Sequence, residues 1–261
     1  MNVKRFLPAA AVASLLALPA PTRAQGAGDF VTPFSNVFIS VGTLLMDVSK
    51  LNQRFQRPDL APVKTGFDAI SNDAYAVGVG GYTTYGRILL GGDAQYADLG
   101  EESSSAGKTN RLETAYVMGT VGFAAYTTWR FSLYPMLGVG FGSATLTLRN
   151  RTGGPTVSSV TQPSFDDIIL SPGADSKIKG SYVLLVPGIG FDYLMLNSED
   201  SHIGVTLGIR IESAITPNRT TWTYKGRSVF GAPDAGPSGG MVRLQLGIGG
   251  FRTAGTKAPG R

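Results

Sequence analysis

Eight segments of the chain alternate apolar side chains with small or polar ones at a period of two residues, and this repetition constrains the fold more than any other feature. In a β-strand such alternation places successive side chains on opposite faces. The apolar runs after residue 24 are too short for a membrane-spanning helix, so any membrane crossing is expected to use strands. The eight segments are residues 36–46, 74–84, 86–97, 112–125, 131–148, 181–195, 202–213 and 240–251.

The connections between these segments alternate in length. Short connections, close to TYG, YTTWR and LNSED, follow the second, fourth and sixth segments, whereas the other connections are long and polar. Outer-membrane barrels combine short periplasmic turns with long external loops in this way, and they contain an even number of strands. Residues 25–251 are therefore predicted to form an all-β domain, an eight-stranded antiparallel up-and-down transmembrane β-barrel with long extracellular loops and short periplasmic turns.

Aromatic residues cluster near the predicted short turns, as expected for the girdle of a barrel at a membrane interface. A soluble β-sandwich whose strands end in aromatics is the alternative, but a sandwich does not require the alternation in loop length. The aromatic residues concerned are Tyr82, Tyr85, Tyr126, Trp129, Phe131, Tyr134, Phe191, Tyr193 and Phe251.

Glycine recurs at every second position in two of the segments. In YPMLGVGFG, residues 134–142, the glycines alternate with leucine, valine and phenylalanine, and VPGIGFDYL, residues 186–194, repeats the arrangement. Glycine weakens a strand, but an eight-stranded barrel encloses only enough space for its own side chains. We therefore expect the glycines to face the lumen and make room there, while the apolar residues between them face lipid.

Polar residues that share the inward parity are predicted to fill this room. Buried charges must be paired or hydrogen-bonded. The residues therefore predict a plugged, ion-paired lumen and not an open channel. They are Asp93, Gln95, Asp192, Arg210, Glu212, Arg243 and Gln245.

The first 24 residues have the pattern of a cleavable secretory signal peptide. Lys4 and Arg5 precede an apolar stretch, and Thr22-Arg23-Ala24 fits a cleavage site. A membrane-anchor helix is the alternative, but the stretch is short and contains three prolines. These residues contribute three of the five net positive charges, so the remaining chain carries +2, which does not favour nucleic acid as a partner.

These features together resemble the small eight-stranded outer-membrane barrels of Gram-negative bacteria, the OmpA-like, OmpX-like and OmpW-like group. The resemblance extends to the last segment, GGMVRLQLGIGGF, whose final aromatic is similar to the signal read by the barrel-assembly machinery. The chain differs in continuing past Phe251, with residues 252–261 as a short periplasmic tail. The resemblance implies a location in the cell outer membrane, among its lipid and lipopolysaccharide.

Catalytic, cofactor and metal sites find little support in the sequence. Three G-x-G stretches lack the last glycine of a dinucleotide-binding loop. The single histidine, His202, lies in a predicted short turn, and Gly204 replaces the serine of an H-x-S pattern, so a lipid-modifying enzyme is a weak alternative. Asp166 and Asp167 are adjacent and do not form a metal cluster. We predict no catalytic residue, no cofactor and no metal.

The long loops remain as the place for function, because binding residues concentrate on loops held by a rigid scaffold. Basic and aromatic side chains there suit lipopolysaccharide phosphates or an extracellular partner of unknown identity. We therefore predict a non-enzymatic structural or surface-interaction role, with an OmpW-like conduit for small hydrophobic molecules as the alternative. The candidate loop residues are Arg54, Arg57, Lys64, Arg219, Trp222, Tyr224 and Arg227.

Overall fold

The computed structural model describes residues 32–56, 65–104, 106–128, 130–151, 153, 163–197, 203–217 and 220–252. The predicted signal peptide lies outside these residues, as do residues 253–261 of the predicted tail and Arg57, Lys64, Trp129, His202 and Arg219. The long strands are β1 (Thr32–Asp47), β2 (Asp73–Tyr85), β3 (Ile88–Ser103), β4 (Lys108–Phe123), β6 (Phe131–Asn150), β7 (Ser176–Asn197), β8 (Ile203–Ala214) and β11 (Gly236–Arg252). The connections contain short strands β5 (Tyr126–Thr127), β9 (Thr221–Tyr224) and β10 (Arg227–Ser228), and short helices α1 (Ser49–Phe55) and α2 (Phe165–Leu170).

The eight long strands form a closed antiparallel barrel. Each long strand pairs with the long strand that follows it in the chain, and β1 closes the barrel by pairing with β11. In this closing pair Ser40 lies opposite Gln245 and Val41 lies opposite Leu244. Each predicted segment overlaps one long strand, and the predicted eight-stranded up-and-down barrel is confirmed.

The two faces of the barrel wall differ in polarity as the alternation predicts. On β11, Leu244 and Leu246 are about half exposed, whereas Arg243 and Gln245 are buried in the lumen. On β6, Phe141 is 68% exposed, and its glycine neighbours face inward. A belt of outward valine, leucine, isoleucine and phenylalanine side chains surrounds the barrel, which is the surface that membrane-spanning barrels present to hydrocarbon.

Two of the long connections are shorter than predicted, because the strands continue into them. β3 extends to Ser103 and β4 begins at Lys108, so most of the predicted loop between them is a β-hairpin with a register shift between Asp98 and Glu101. β6 and β7 are likewise longer than predicted, ending at Asn150 and beginning at Ser176. The alternation of apolar residues fails there because the outward positions carry charges, which the pattern cannot separate from a polar loop.

The long connections also contain secondary structure that the sequence analysis did not predict. Helices α1 and α2, strands β9 and β10 and the segments beside them fold over one end of the lumen, which we call the long-loop end. The opposite end, where the strands are joined by brief connections, is the short-turn end. No helix in the described part of the chain has the length and apolar character to cross a membrane.

The predicted aromatic girdle is only partly correct. Tyr85 and Tyr126 are more than half exposed near the short-turn end, and Phe131 packs edge to face against Phe191 with ring centroids 4.2 Å apart. Tyr82 and Tyr134, in contrast, are buried in the lumen. The assignment of these two tyrosines to the girdle was wrong, since both share the inward parity of the glycines on their strands. The side chain of Phe251 lies outside the described residues.

Candidate functional site

The short-turn half of the lumen contains a layer of charged and polar side chains centred on Arg243. The guanidinium group of Arg243 donates to both carboxylate oxygens of Glu212, with Nε–Oε2 and Nη2–Oε1 distances of 2.8 and 2.5 Å. Its Nη1 atom lies 3.1 Å from Oδ1 of Asp93. All three side chains are buried, so each charge is balanced by a partner inside the barrel and not by water.

Arg210 extends this network across the lumen. Its Nη1 atom lies 3.1 Å from Oδ2 of Asp93, and its guanidinium carbon lies 4.7 Å from the ring centroid of Phe38. A further carboxylate, Asp192, accepts a hydrogen bond of 2.7 Å from the hydroxyl of Tyr134 and another from the hydroxyl of Tyr82. Residues of several strands thus meet inside the lumen through a compact set of polar side chains.

The two glutamines of the set differ in their contacts. The amide nitrogen of Gln95 donates to Asp93 at 3.2 Å and to Ser40 at 3.1 Å. The amide of Gln245 is buried, and among the described residues neither its oxygen nor its nitrogen has a hydrogen-bond partner. We use the name polar layer for the seven polar residues predicted to fill the lumen together with the two buried tyrosines. Its members are Asp93, Gln95, Asp192, Arg210, Glu212, Arg243, Gln245, Tyr82 and Tyr134.

Inward glycines provide the space that the polar layer occupies. A Cβ atom on Gly190 would lie 2.2 Å from the ring of Tyr134, and one on Gly208 would lie 2.2 Å from Oδ1 of Asp192. A Cβ atom on Gly188 would lie 2.7 Å from Cγ of Glu212. These contacts account for the glycines of VPGIGFDYL, because a larger residue would displace the polar side chain from the neighbouring strand.

The long-loop half of the lumen has a different filling, a cluster of buried apolar side chains. Leu51 and Phe55 of α1 and Phe165 and Ile169 of α2 pack against the inward residues of the strands. We call this cluster the apolar layer. Its strand residues include Leu44, Met46, Leu99, Leu112, Leu146, Leu148, Ile178, Leu184 and Met241. The sequence pattern predicted a lumen filled by polar groups and did not indicate this layer.

Polar contacts hold the covering segments over the apolar layer. Arg54 of α1 lies 3.0 Å from Asp166 of α2, joining Nη1 to Oδ2, and its Nη2 atom donates to the carbonyl of Gly231 at 3.3 Å. Asn52 forms two hydrogen bonds with the backbone of Ile70, at 2.9 and 2.8 Å. The contacts of Arg54 therefore join the β1–β2 connection to the β6–β7 and β8–β11 connections.

The structure corrects the role of several predicted loop residues. Trp222 is only 2% exposed, and its indole nitrogen donates to the carbonyl of Pro233 at 2.7 Å. Tyr224 is also buried, with its hydroxyl 3.1 Å from that of Ser176. Both aromatics belong to the apolar layer and cannot contact an external partner in this conformation. Arg54 is engaged with Asp166, whereas Arg227 is exposed at the start of β10.

Ion pairs also mark the outer wall at the long-loop end, just above the apolar belt. Arg111 lies 3.1 Å from Glu113 and forms a bidentate contact with Asp98. Burial alone would raise the pKa of Asp98, but the hydrogen bonds from Arg111 and from the backbone of Gly100 outweigh it and hold the pKa below its ordinary value of 3.8. In this part of the rim one guanidinium group contacts two carboxylates.

The described residues do not bring together a metal-binding group of three or more histidine, cysteine, aspartate or glutamate side chains. Asp166 and Asp167 lie in the first turn of α2, where Asp166 contacts Arg54 and the backbone of Asp167 is capped by the Ser164 hydroxyl at 3.1 Å. In the described lumen, charge pairing occupies one half and apolar packing occupies the other.

Comparison with known proteins identifies fold neighbours only. No family model and no curated protein sequence matches the chain. Ail, the attachment invasion locus protein of Yersinia pestis, has 11% sequence identity and a TM-score of 0.41, over 85% of this chain and 99% of Ail. A major outer membrane protein of Thermus thermophilus has 7% identity and a TM-score of 0.42, over 84% of this chain and 99% of that one. Neisserial surface protein A has 9% identity and a TM-score of 0.35, over 83% of this chain and 96% of that one.

TM-scores and identities this low carry no argument about function, so the class of the protein is defined by its own strand pairing and surfaces. The chain is an eight-stranded antiparallel β-barrel with an apolar outer belt and a filled lumen.

Proposed function

We propose that the protein is an integral outer-membrane barrel, closed to ions, with a non-enzymatic role as a structural and surface-interaction protein at its long-loop end. The proposal rests on one combined observation: an apolar belt is exposed on the outer wall, and buried side chains occupy the lumen along its length. A soluble barrel would expose polar side chains outside, and a diffusion channel would leave space inside.

Two alternatives receive less support. A conduit for small hydrophobic molecules would need an apolar path, but the described inner wall places Arg210, Arg243 and their carboxylate partners across the lumen. A lipid-modifying enzyme would need a base near a nucleophile or paired acids. Among the described acids, Asp93, Glu212 and Asp166 are engaged by arginines, which suits structure better than proton transfer.

Protease treatment of intact cells tests the proposal. We expect cleavage near Lys108 or Arg227, which lie at the long-loop end, and protection of Arg87 and Arg130, which lie at the short-turn end. Cleavage confined to the short-turn sites in sealed cells would mean the opposite orientation. Recovery of the protein in the soluble fraction, without flotation on lipid vesicles, would contradict a membrane barrel. Conversion of radiolabelled lipid A or phospholipid by the purified protein would contradict the non-enzymatic role.

A further inference from the structure

The outer face of β6 and β7 changes from apolar to cationic over a few residue pairs. Phe141 and Val183 are paired across the two strands and are 68% and 43% exposed. The next outward pair toward the long-loop end is Ser143 with Ser181, and the pair after that is Thr145 with Lys179. The apolar belt therefore ends at Ser143 and Ser181. Hydroxyl and ammonium groups follow at the level where lipid headgroups begin.

The charge of this face is not balanced locally. Lys177 and Lys179 are exposed, and neither has an acidic partner among the described residues. The described outward positions of β6, β7 and β9 include no aspartate or glutamate. Glu101 and Asp175, at the adjoining strand ends, lie 3.7 and 4.0 Å from Arg149.

The β3–β4 part of the same rim provides a contrast. Asp98 pairs in register with Glu113, Glu113 with Thr145, and Thr145 with Lys179, so these residues form one row across four strands. On β3 and β4 the row carries two carboxylates that share Arg111, whereas on β6 and β7 it carries only hydroxyl and ammonium donors. Ammonium and hydroxyl groups on one face suit an anion with several acceptor oxygens, such as phosphate.

We infer that the face formed by Ser143, Thr145, Lys177, Lys179 and Ser181, the lysine face, binds the phosphate of a membrane lipid headgroup. The acyl chains of that lipid lie on the apolar belt below, along Phe141 and Val183. The continuity of the cationic patch with the exposed apolar pair favours a lipid over a soluble anion, because a soluble anion would gain nothing from the belt. This inference rests on the proposed membrane location and adds a ligand class to it.

Lipid retention by the full-length protein tests the inference. The protein is reconstituted in phosphatidylcholine vesicles containing a small fraction of phosphorylated lipid A, extracted gently, and examined for bound lipid A by native mass spectrometry. Lys179→Gln should lower the affinity for lipid A about fivefold, and Lys177→Gln with Lys179→Gln about 25-fold, since each cation near a charged lipid surface contributes by roughly that factor. Lys179→Arg should retain binding.

Lys50→Gln is the matched control, because Lys50 is also an exposed lysine at the long-loop end but lies on another part of the rim, 3.3 Å from Asp234. It should leave lipid A binding unchanged. Equal retention of dephosphorylated lipid A, or an equal loss with Lys50→Gln, would overturn the inference. Lysine-dependent binding of soluble heparin without lipid A would overturn it in favour of a soluble polyanion. Failure of the wild-type protein to float with vesicles would instead refute the proposed membrane location.

Discussion

The two halves of the lumen are filled by different means. The polar layer is built entirely from strand residues, and its central contacts join positions as distant in sequence as Asp93 and Arg243. The apolar layer is completed by residues of the loops, such as Leu51 in α1 and Phe165 in α2. One part of the filling is therefore integral to the barrel wall, whereas the other depends on a cover of loop residues, and we expect the cover to weaken separately.

The largest expected effect comes from breaking the polar layer at its centre. Arg243→Met removes the partner of Glu212 and one of the two cations beside Asp93, so buried carboxylates remain without sufficient compensation. Loss of one partner from a buried ion pair costs about 3–5 kcal/mol. Reversible unfolding in lipid vesicles measures the loss, and adding Glu212→Gln should recover part of it. A loss below about 1 kcal/mol, or no recovery, would contradict a tightly coupled network.

A substitution on the outer surface provides a reference outside both layers. Leu246 faces outward on β11, next to the buried Gln245. Leu246→Arg should destabilise the barrel by about 2–4 kcal/mol, because it places a cation in hydrocarbon. Gln245→Arg should cost less, since the described polar layer holds the carboxylates of Asp93, Asp192 and Glu212 against two arginines. Equal losses for the two variants in the same unfolding assay would contradict the assigned faces.

The apolar layer should respond locally. Leu51→Ala removes a fully buried side chain of α1, and truncation of this kind costs about 2 kcal/mol or more where the site cannot collapse. We expect faster amide hydrogen exchange in residues 49–55 with little change in exchange of the β11 amides. Uniformly faster exchange throughout the barrel would instead show that the two layers form one cooperative unit.

The smallest effect is expected at the exposed rim, where the ion pair of Asp98 with Arg111 contrasts with the buried pairs. Since the folded-state pKa of Asp98 lies below 3.8, the pair stabilises the fold above that pH, and the contribution is lost as the pH falls through the folded-state pKa. Asp98→Asn should therefore cost under about 1 kcal/mol at pH 7 and nothing in strong acid. Unfolding of wild type and variant across this pH range measures the difference, and a difference that grows in acid would contradict the assignment.

The barrel was predictable because each of its eight long strands repeats a period of two. The same parity that identifies Gly138 as inward also applies to Tyr134, and Tyr82 shares the parity of Gly80, so their place in the polar layer was available from the sequence. Aromatic residues near a turn favoured the girdle interpretation instead. Which acid contacts which arginine depends on register across several strands, and parity alone does not determine it.

The loop segments that cover the lumen, including α1 and α2, were harder to predict, because these helices are too short for a clear helical period. Leu51 and Phe55 are spaced by four residues and Ser164 precedes FDDIIL as an N-cap, but such brief signals also occur in irregular loops. The burial of Trp222 depends on the return of the chain beside β7, a long-range contact with no local signature. The sequence therefore predicted exposed basic loops, whereas in the structure these loop segments form a packed cover over the lumen.

Planar-bilayer recording of the wild-type protein tests directly whether the two layers close the lumen. The purified barrel should insert without producing a steady conductance, because side chains of the polar layer and the apolar layer occupy the described lumen. Reproducible porin-like currents that require this protein would contradict the account of a filled and closed barrel.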